Sequence, residues 1–268
     1  MKKILCLFSA LVLILTSCSS DDSSSTPSTP SNPSNVSNVL IKKMILTNTS
    51  EGVHEINFTY DGKKLVKEVA SSTGFLNYTK NYYYTGDLIT RYEQIWGKYN
   101  STVTDLTYEN NKLKTLFEKR IDLKNGTVFL TKTTYTHNLG GTVSFVIATV
   151  DKDTNEESSI RNGRLIYVNG AIVKDERFDD PTGVEFIAIE YDKRNNPFKN
   201  VVGFNLLLRY SDFNYLVHNK TKTTTKSIYN FSVSYFTTYD YDENSFPVAA
   251  RHVDDTGVEY AKTEYFYY

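Results

Sequence analysis

Apolar and polar residues alternate along most of the chain after residue 38. In the clearest stretch, Phe58 and Tyr60 flank a threonine, Asp61-Gly62 follows, and Leu65 opens the next apolar run. Alternation with a period of two predicts a strand with one buried face. An Asp-Gly pair is typical of a tight turn, because glycine tolerates positive φ angles. The stretch therefore predicts a β-hairpin.

The same pattern recurs, marked by an aromatic-x-Tyr step before each turn. Its second tyrosine falls at intervals of 24 residues at Tyr60, Tyr84 and Tyr108, and again from Tyr167 to Tyr191. Two strands and two short turns need about this length. Each interval therefore predicts one hairpin. Since parallel neighbours would need long crossovers, successive hairpins predict an antiparallel meander.

The later copies are less regular. The interval from Tyr191 to Tyr241 has room for two units, and Leu208 to Tyr215 reads as a degraded copy within it. Thr221 to Thr225 reads as a polar edge strand whose flanking lysines discourage pairing with another chain. The expected fold is an all-β antiparallel meander of repeated hairpins of about 24 residues, forming one domain over residues 39–268. A curled half-barrel and an extended twisted sheet are both open.

Composition supports this fold and excludes several functional classes. The sequence has 21 Tyr and 15 Phe, and aromatic residues favour strands. A formal net charge of −1 gives no electrostatic basis for binding nucleic acid. The two cysteines, Cys6 and Cys18, both lie near the N-terminus. We therefore expect neither a disulfide framework nor a cysteine metal site in the folded part.

Three tyrosines of the pattern are followed by aspartate, in Tyr60-Asp61-Gly62, Tyr191-Asp192 and Tyr241-Asp242, and Asn196-Pro197-Phe198 has a related form. On these residues, residues 55 to 268 resemble the tyrosine–aspartate (YD) repeats of Rhs-type proteins. They are more similar to the YD-like surface lipoproteins of unknown function found in Bacteroidota. The resemblance implies an array of β-hairpins. It does not imply a toxin function, because this chain is too short to enclose a toxin.

The N-terminus has the features of an export signal. Lys2 and Lys3 precede an apolar run from Ile4 to Leu15, which is shorter than the roughly 20 residues that a spanning helix needs. The run ends in Leu15-Thr16-Ser17-Cys18, which resembles a bacterial lipobox. The resemblance implies that residues 1–17 are a signal peptide and that Cys18 becomes the lipidated first residue. An ordinary signal peptide with an incidental cysteine is the alternative.

The residues after Cys18 predict a tether. Ser19-Ser20-Asp21-Asp22 resembles the surface-export signal of Bacteroidota lipoproteins, although such residues also suit a plain solvated tether. Residues 23–38 are almost entirely Ser, Thr, Pro and Asn, and we expect them to be disordered. Extended at about 3.1 Å per residue, they reach on the order of 50 Å. The expected location is the outer membrane, with a lipid anchor at Cys18 and the domain facing the cell exterior.

Two stretches have carboxylates at the spacing of a calcium loop. Asp151-Lys-Asp153-Thr-Asn155 and Asp240-Tyr-Asp242-Glu-Asn244 both read D-x-D-x-N. Both lack the glycine at position six and the glutamate at position twelve that an EF-hand requires. Solvated turns are therefore favoured over calcium sites. The four histidines are too scattered to predict a zinc site.

No catalytic or cofactor fingerprint is present, so we expect neither an enzyme nor a cofactor. Trp96 is the single tryptophan. A lone tryptophan in a β-protein most often packs within the fold, but an exposed one could stack on a glycan. Trp96 is therefore the candidate ligand contact.

A transmembrane barrel is the alternative suggested by the aromatic C-terminus, residues 265–268. Lipid-facing strands need an unbroken apolar face of about ten residues. Lys67, Lys80 and Lys132 interrupt such faces, and the lipobox already supplies an anchor.

Three functions are compatible with these observations. The first is a lipid-anchored binding or adhesion module, whose broad tyrosine-rich sheet contacts a glycan, a peptide or another envelope protein. The second is a structural or accessory subunit of an outer-membrane complex. The third is a hydrolase whose site forms only in three dimensions. A strongly perturbed acid in a pocket, or two carboxylates facing each other across a cleft, would support this third function.

Overall fold

The computed structural model describes residues 38–74, 77–178, 180–208 and 218–268. These residues form sixteen strands, each antiparallel to its neighbours in sequence. The strands are Ile41–Asn48 (β1), Gly52–Asp61 (β2), Lys64–Ser72 (β3), Tyr78–Thr85 (β4), Leu88–Trp96 (β5), Asn100–Glu109 (β6), Lys112–Asp122 (β7), Val128–His137 (β8), Thr142–Val150 (β9), Glu157–Val168 (β10), Ala171–Phe178 (β11), Val184–Tyr191 (β12), Lys220–Ser227 (β13), Ser232–Tyr241 (β14), Pro247–Val253 (β15) and Glu259–Tyr267 (β16).

The first and last strands close the sheet into a barrel. β1 pairs with β16, placing Met44 opposite Tyr265 and Asn48 opposite Ala261. The predicted all-β antiparallel meander is thus confirmed, whereas the half-barrel and the extended sheet are wrong. Closure pairs the backbone N–H and C=O groups that an open sheet leaves free at its edges. The predicted edge strand at Thr221 to Thr225 is also wrong, because β13 pairs with both β12 and β14.

The repeated tyrosine has a constant position in the barrel. It lies at the end of an even-numbered strand, where a β-bulge sets it opposite an apolar residue five positions later. Because all even-numbered strands run in one direction, these tyrosines lie at one end of the barrel, which we call the tyrosine end; the opposite end is the far end. The bulged pairs are Tyr60–Leu65, Tyr84–Ile89, Tyr108–Leu113 and Tyr167–Ile172.

The hydroxyl groups of several tyrosines explain why tyrosine, rather than phenylalanine, recurs there. Tyr108 donates to the carbonyl oxygen of Ile89 at 2.8 Å, and Tyr191 donates to that of Ile172 at 2.7 Å. Each bond joins an even strand to the odd strand before it. Burial raises the pKa of both tyrosines, so they remain protonated donors. The repeat therefore encodes a strand, a bulge and a cross-strand hydrogen bond together.

The two faces of the barrel differ in chemistry. The inward face carries the apolar core, whereas most of the ion pairs lie on the outward face. For example, outward Arg91 pairs with Glu93 at 2.9 Å and with Asp105 on the next strand at 3.3 Å. Similar outward pairs are Lys43–Glu55, Lys132–Glu157, Arg164–Glu176, Lys174–Glu176 and Lys222–Glu190. A membrane barrel has the reverse arrangement, with an apolar band outside.

The three lysines weighed against a membrane barrel do not all point outward. Lys67 is exposed and Lys132 pairs with Glu157 on the outer face. Lys80 is buried, with its ammonium 4.3 Å from the centre of the Tyr92 ring. The prediction for Lys80 is therefore wrong. The outward ion pairs, rather than Lys80, are the charges that interrupt an apolar outer face.

A barrel of sixteen strands is too wide for its own side chains to fill. Residues 192–208, between β12 and β13, turn into the lumen and fill part of it; we call them the plug. Its buried apolar side chains are Phe198, Val201, Phe204, Leu207 and Leu208. The hairpin expected in this interval is therefore β13–β14, and Leu208 belongs to the plug rather than to a degraded copy. Residues 209–215 of that predicted copy lie outside the described residues.

The plug is attached to the barrel wall by packing and by hydrogen bonds. The ring of Phe198 packs against Phe58 with centroids 5.4 Å apart, and Phe204 packs against Tyr82 at 5.5 Å. The backbone N–H of Val202 donates to the carbonyl oxygen of Lys63 at 3.0 Å. These contacts make the plug part of the core.

Candidate functional site

The lumen keeps a cavity of about 340 Å³ on one side of the plug. It extends from the plug and the start of β13 toward the far end, where the rings of Tyr235 and Tyr260 meet edge to face with centroids 5.6 Å apart. We call it the lysine cavity. Its lining residues are Met44, Leu46, Ile56, Asn196, Pro197, Phe198, Asn219, Lys220, Thr223, Tyr235, Thr237, Tyr239, His252, Tyr260, Thr263 and Tyr265.

Among the described residues that line this cavity, Lys220 is the only lysine or arginine. It opens β13 opposite Tyr191, whose side chain points inward, so the lysine also faces the lumen. It is half-buried and lines the cavity. Burial lowers the pKa of Lys220, since desolvation disfavours the ammonium form. Among the described residues, no carboxylate forms an ion pair with it.

His252, on β15, lies between two threonines. Its Nδ1 lies 3.0 Å from Thr237 Oγ1, and its Nε2 lies 2.9 Å from Thr263 Oγ1. Burial, with a further contribution from the charge of Lys220, lowers the pKa of His252. The ring is therefore held neutral, with one nitrogen donating and the other accepting. The site combines one cation, a neutral imidazole and several hydroxyl groups on an apolar wall.

This arrangement gives a pH prediction for His252. Its pKa is lower in the folded chain than the usual 6.5, so the unfolded chain binds more protons between the two values. The free energy of unfolding should therefore fall as the pH drops below about 6.5. A His252→Gln variant should lose this part of the pH dependence. Chemical denaturation from pH 8 to pH 5 measures the slope, and NMR titration of the imidazole reads the pKa directly. A His252 that titrates at or above 6.5 would contradict the prediction.

A second cavity, of about 480 Å³, lies between β7 and β12. Asp175 is fully buried there, and the desolvation raises its pKa to about 6, against the opposing effect of Arg177. Arg177 donates to Asp175 Oδ2 at 3.2 Å and to Asp180 Oδ2 at 3.0 Å. One arginine therefore binds both acids. The arginine and the two acids form a largely buried charge cluster.

The residues singled out in the sequence lie elsewhere. Trp96 ends β5 and packs against Tyr78 with ring centroids 4.7 Å apart, half-buried near the far end. Its role as a ligand contact stays a prediction. Cys18 lies outside the described residues.

The aspartates at calcium-loop spacing shape turns. Asp151 Oδ1 accepts hydrogen bonds from the backbone N–H groups of Asp153 and Thr154, each at 2.8 Å. Asp242 Oδ1 accepts from the N–H groups of Asn244 and Phe246. Across the ranges that the structure describes, no three His, Cys, Asp or Glu side chains are placed to hold a metal ion. In the same ranges, no helix has the length and apolarity needed to cross a bilayer.

Sequence reasoning missed Lys220 and His252. Lys220 belongs to a run of lysines and threonines in which inward and outward positions have the same chemistry. Within β13, only the partner strands show which side chains face the lumen. For His252, the available signal is the alternation in Ala250-Arg251-His252. A charged Arg251 on the outer face of a strand predicts that its two neighbours, Ala250 and His252, point inward.

No protein-family model and no curated protein matches this sequence. A crystal structure of a porin-like protein from Bacteroides vulgatus ATCC 8482 is similar in fold, with 13% identity, a TM-score of 0.56, and coverage of 86% of this chain and 99% of that chain. A porin-like protein from Bacteroides uniformis ATCC 8492 has 12% identity and a TM-score of 0.38, covering 85% and 96%. At this identity the first likeness shows the fold alone, a porin-like β-barrel.

Proposed function

We propose that this protein is a lipid-anchored, non-catalytic binding module of the outer membrane, whose plugged barrel stands in water and binds a small ligand in its lumen. The observation that carries the proposal is the distribution of charge. Ion pairs such as Arg91–Asp105 occupy the outer face at mid-strand, where a membrane barrel needs apolar residues. The plug fills the lumen at the positions of Phe198 and Phe204, which argues against an open pore.

The positions of the repeat tyrosines bear on where a ligand could bind. A broad tyrosine-rich sheet surface was the expected contact for a glycan or a protein. Tyr60, Tyr84 and Tyr108 instead pack against the core, so they do not form that surface. The cavities inside the barrel are the better candidates, because partly open cavities that combine apolar walls with a set of polar groups are typical ligand sites. Ligand-holding cavities are also a regular feature of closed β-barrels.

A specific feature favours a second candidate, an accessory subunit of an outer-membrane complex. The β13–β14 turn exposes Ile228, Tyr229 and Phe231, with Tyr229 80% exposed. Exposed apolar groups that lie together can form a protein contact. Mild detergent extraction followed by co-purification tests this candidate: a stable complex with a membrane barrel supports it, and a free monomer contradicts it.

A hydrolase is less well supported. Asp175 is a perturbed acid beside a cavity, which is one expected sign of catalysis. However, Arg177 binds both Asp175 and Asp180, and the side chain of Asp175 is fully buried. An acid held in this way has little access to a substrate.

The anchor and the water-facing barrel are tested together by a cysteine substitution. In cells with the wild-type protein we expect the barrel in the membrane fraction, and in Cys18→Ala cells nearly all of it in the soluble fraction. Cys6→Ala is the matched control, because Cys6 precedes the predicted cleavage site; it should leave the distribution unchanged. Protease treatment of intact cells then reports whether the barrel faces outward.

Two results would overturn the proposal. One is a Cys18→Ala protein that resists carbonate extraction as an integral membrane protein does. The other is a steady ion conductance when the purified wild-type barrel is added to a planar bilayer, since a plugged barrel in water should give none.

A further inference from the structure

The lysine cavity contains an unbalanced charge. Among the described residues, its lining includes Lys220 but no aspartate or glutamate, and no carboxylate forms an ion pair with this lysine. A buried cation without a counterion is unfavourable, because desolvation removes its hydration without supplying a partner. An anion that enters the cavity would supply the partner. The charge therefore points to a ligand with a negative group.

The remaining lining separates into a polar and an apolar part. Thr223 lies on the same strand as the lysine and Thr237 on the next strand, β14, and Tyr265 adds a further hydroxyl group on β16. Across the cavity, Met44 and Leu46 on β1 and Ile56 on β2 present aliphatic side chains. Hydroxyl groups can donate to a carboxylate, and the aliphatic wall can cover a hydrocarbon tail.

We propose that the lysine cavity binds a small amphiphile with a carboxylate head and an aliphatic tail, and that Lys220 pairs with the carboxylate. This inference rests on the proposed function, of which it names the ligand class. The cavity of about 340 Å³ has room for roughly eleven atoms of the size of a water molecule. A carboxylic acid with a chain of about eight carbons fits this volume. The exposed ring of Tyr235, next to Tyr260, marks the mouth of the cavity at the far end.

The positive charge of protonated Lys220 selects a ligand with an anionic head group. The lysine can act as a counterion only while it is protonated, and a bound carboxylate stabilises the protonated form. The neutral His252 does not compete for the anion, because its two nitrogens already lie against Thr237 and Thr263. Lys220 is thus a ligand-binding residue.

The test uses octanoate as the probe, with the purified barrel of the full mature chain and isothermal titration calorimetry. Lys220→Met keeps most of the length of the side chain and removes its charge. We expect octanoate to bind the wild type at least tenfold more tightly than this variant. Lys222→Met is the matched control: Lys222 lies on the same strand but pairs with Glu190 on the outer face, 3.4 Å away. Its octanoate affinity should stay within twofold of the wild type.

1-Octanol and octyltrimethylammonium separate the head group from the tail. We expect octanol to bind the wild type and Lys220→Met equally, and the cationic probe to bind the wild type more weakly than octanoate. Lys220→Met should fold and melt no lower than the wild type, because it removes a buried charge.

The inference is overturned if Lys220→Met binds octanoate as tightly as the wild type, or if the wild type binds no octanoate. Binding of octanol without any preference for octanoate would overturn the carboxylate assignment while leaving a lumenal binding module intact. The Cys18→Ala fractionation tests the lipid anchor and the water-facing barrel separately, because it uses none of the three probes.

Discussion

Phe204→Ala is expected to lower the free energy of unfolding by about 3–5 kcal/mol, the usual range for removing a fully buried aromatic side chain. Phe204 has no exposed surface, and its ring packs against Tyr82 on the barrel wall and stacks on Phe198 within the plug. Alanine would leave a cavity where plug and wall meet. At about 2–4 °C per kcal/mol for a domain of this size, the melting temperature should fall by roughly 10 °C.

Chemical denaturation and thermal melts followed by circular dichroism measure this effect. Phe231→Ala is the matched control, because the same substitution in an exposed turn should change the free energy of unfolding by less than about 0.5 kcal/mol. If the two variants have equal stability, the plug is not part of the cooperative core. The lumen would then be open to larger ligands than those proposed above.

Gly163→Ala should have the second largest effect, about 3 kcal/mol of destabilisation by overpacking. Gly163 lies in β10 opposite Phe145, whose ring covers the glycine. An added Cβ would lie 2.1 Å from Phe145 Cζ and 2.5 Å from the carbonyl oxygen of Glu176 on β11. The ring could turn away, but the carbonyl oxygen can move only if β10 and β11 separate.

Gly126→Ala provides the control for this substitution. Gly126 has a φ of 73° in the β7–β8 turn, and an added Cβ there would meet nothing within 4 Å. It should be destabilised by about 1 kcal/mol, from backbone strain alone. Denaturant midpoints of the two variants give the comparison. If Gly163→Ala is as stable as Gly126→Ala, β10 and β11 can separate at little cost in free energy. That result would contradict the close packing of Phe145 on Gly163.

The hairpins were predictable from sequence because one local rule repeats. Tyr60, Tyr84 and Tyr108 mark strand ends at constant spacing, and the turn chemistry follows directly. The turns themselves come one residue later than Asp61-Gly62 suggests, since Asp61 still pairs with Lys64 and the turn is Gly62-Lys63. Local patterns of this kind depend only on near neighbours, which a sequence displays.

Closure and the plug were not predictable in the same way. Nothing local distinguishes β1 and β16 from other strands, so their pairing depends on the accumulated curvature of the whole sheet. In the plug, Phe198, Val201 and Phe204 are spaced by three residues and follow neither the period of a strand nor a full helix. By its length alone, the interval from Tyr191 to Tyr241 predicts two repeat units, with Leu208 to Tyr215 as a degraded copy. The lumenal space that the plug occupies exists only in the closed barrel.

The candidate site shows the same limit. No sequence motif marks this site, because the lysine cavity collects residues from β13, β14, β15 and β16 and from β1 and β2. Lys220 and His252 lie on different hairpins, and only the register of the strands brings them together. The lipid anchor at Cys18 rests on a purely local motif and stays a prediction.

The seam between β1 and β16 has a consequence for how the chain reaches its native state. Fifteen of the sixteen strand pairings join neighbours in sequence, and all of these except β12–β13 close short loops and can form rapidly. The sixteenth joins Ile41 to Tyr267 and must await both ends of the chain. Until then the incomplete sheet presents two unpaired edges, at which a second copy can add its own strands. The last step of folding therefore competes with association, and dilution should favour the monomeric barrel over larger assemblies.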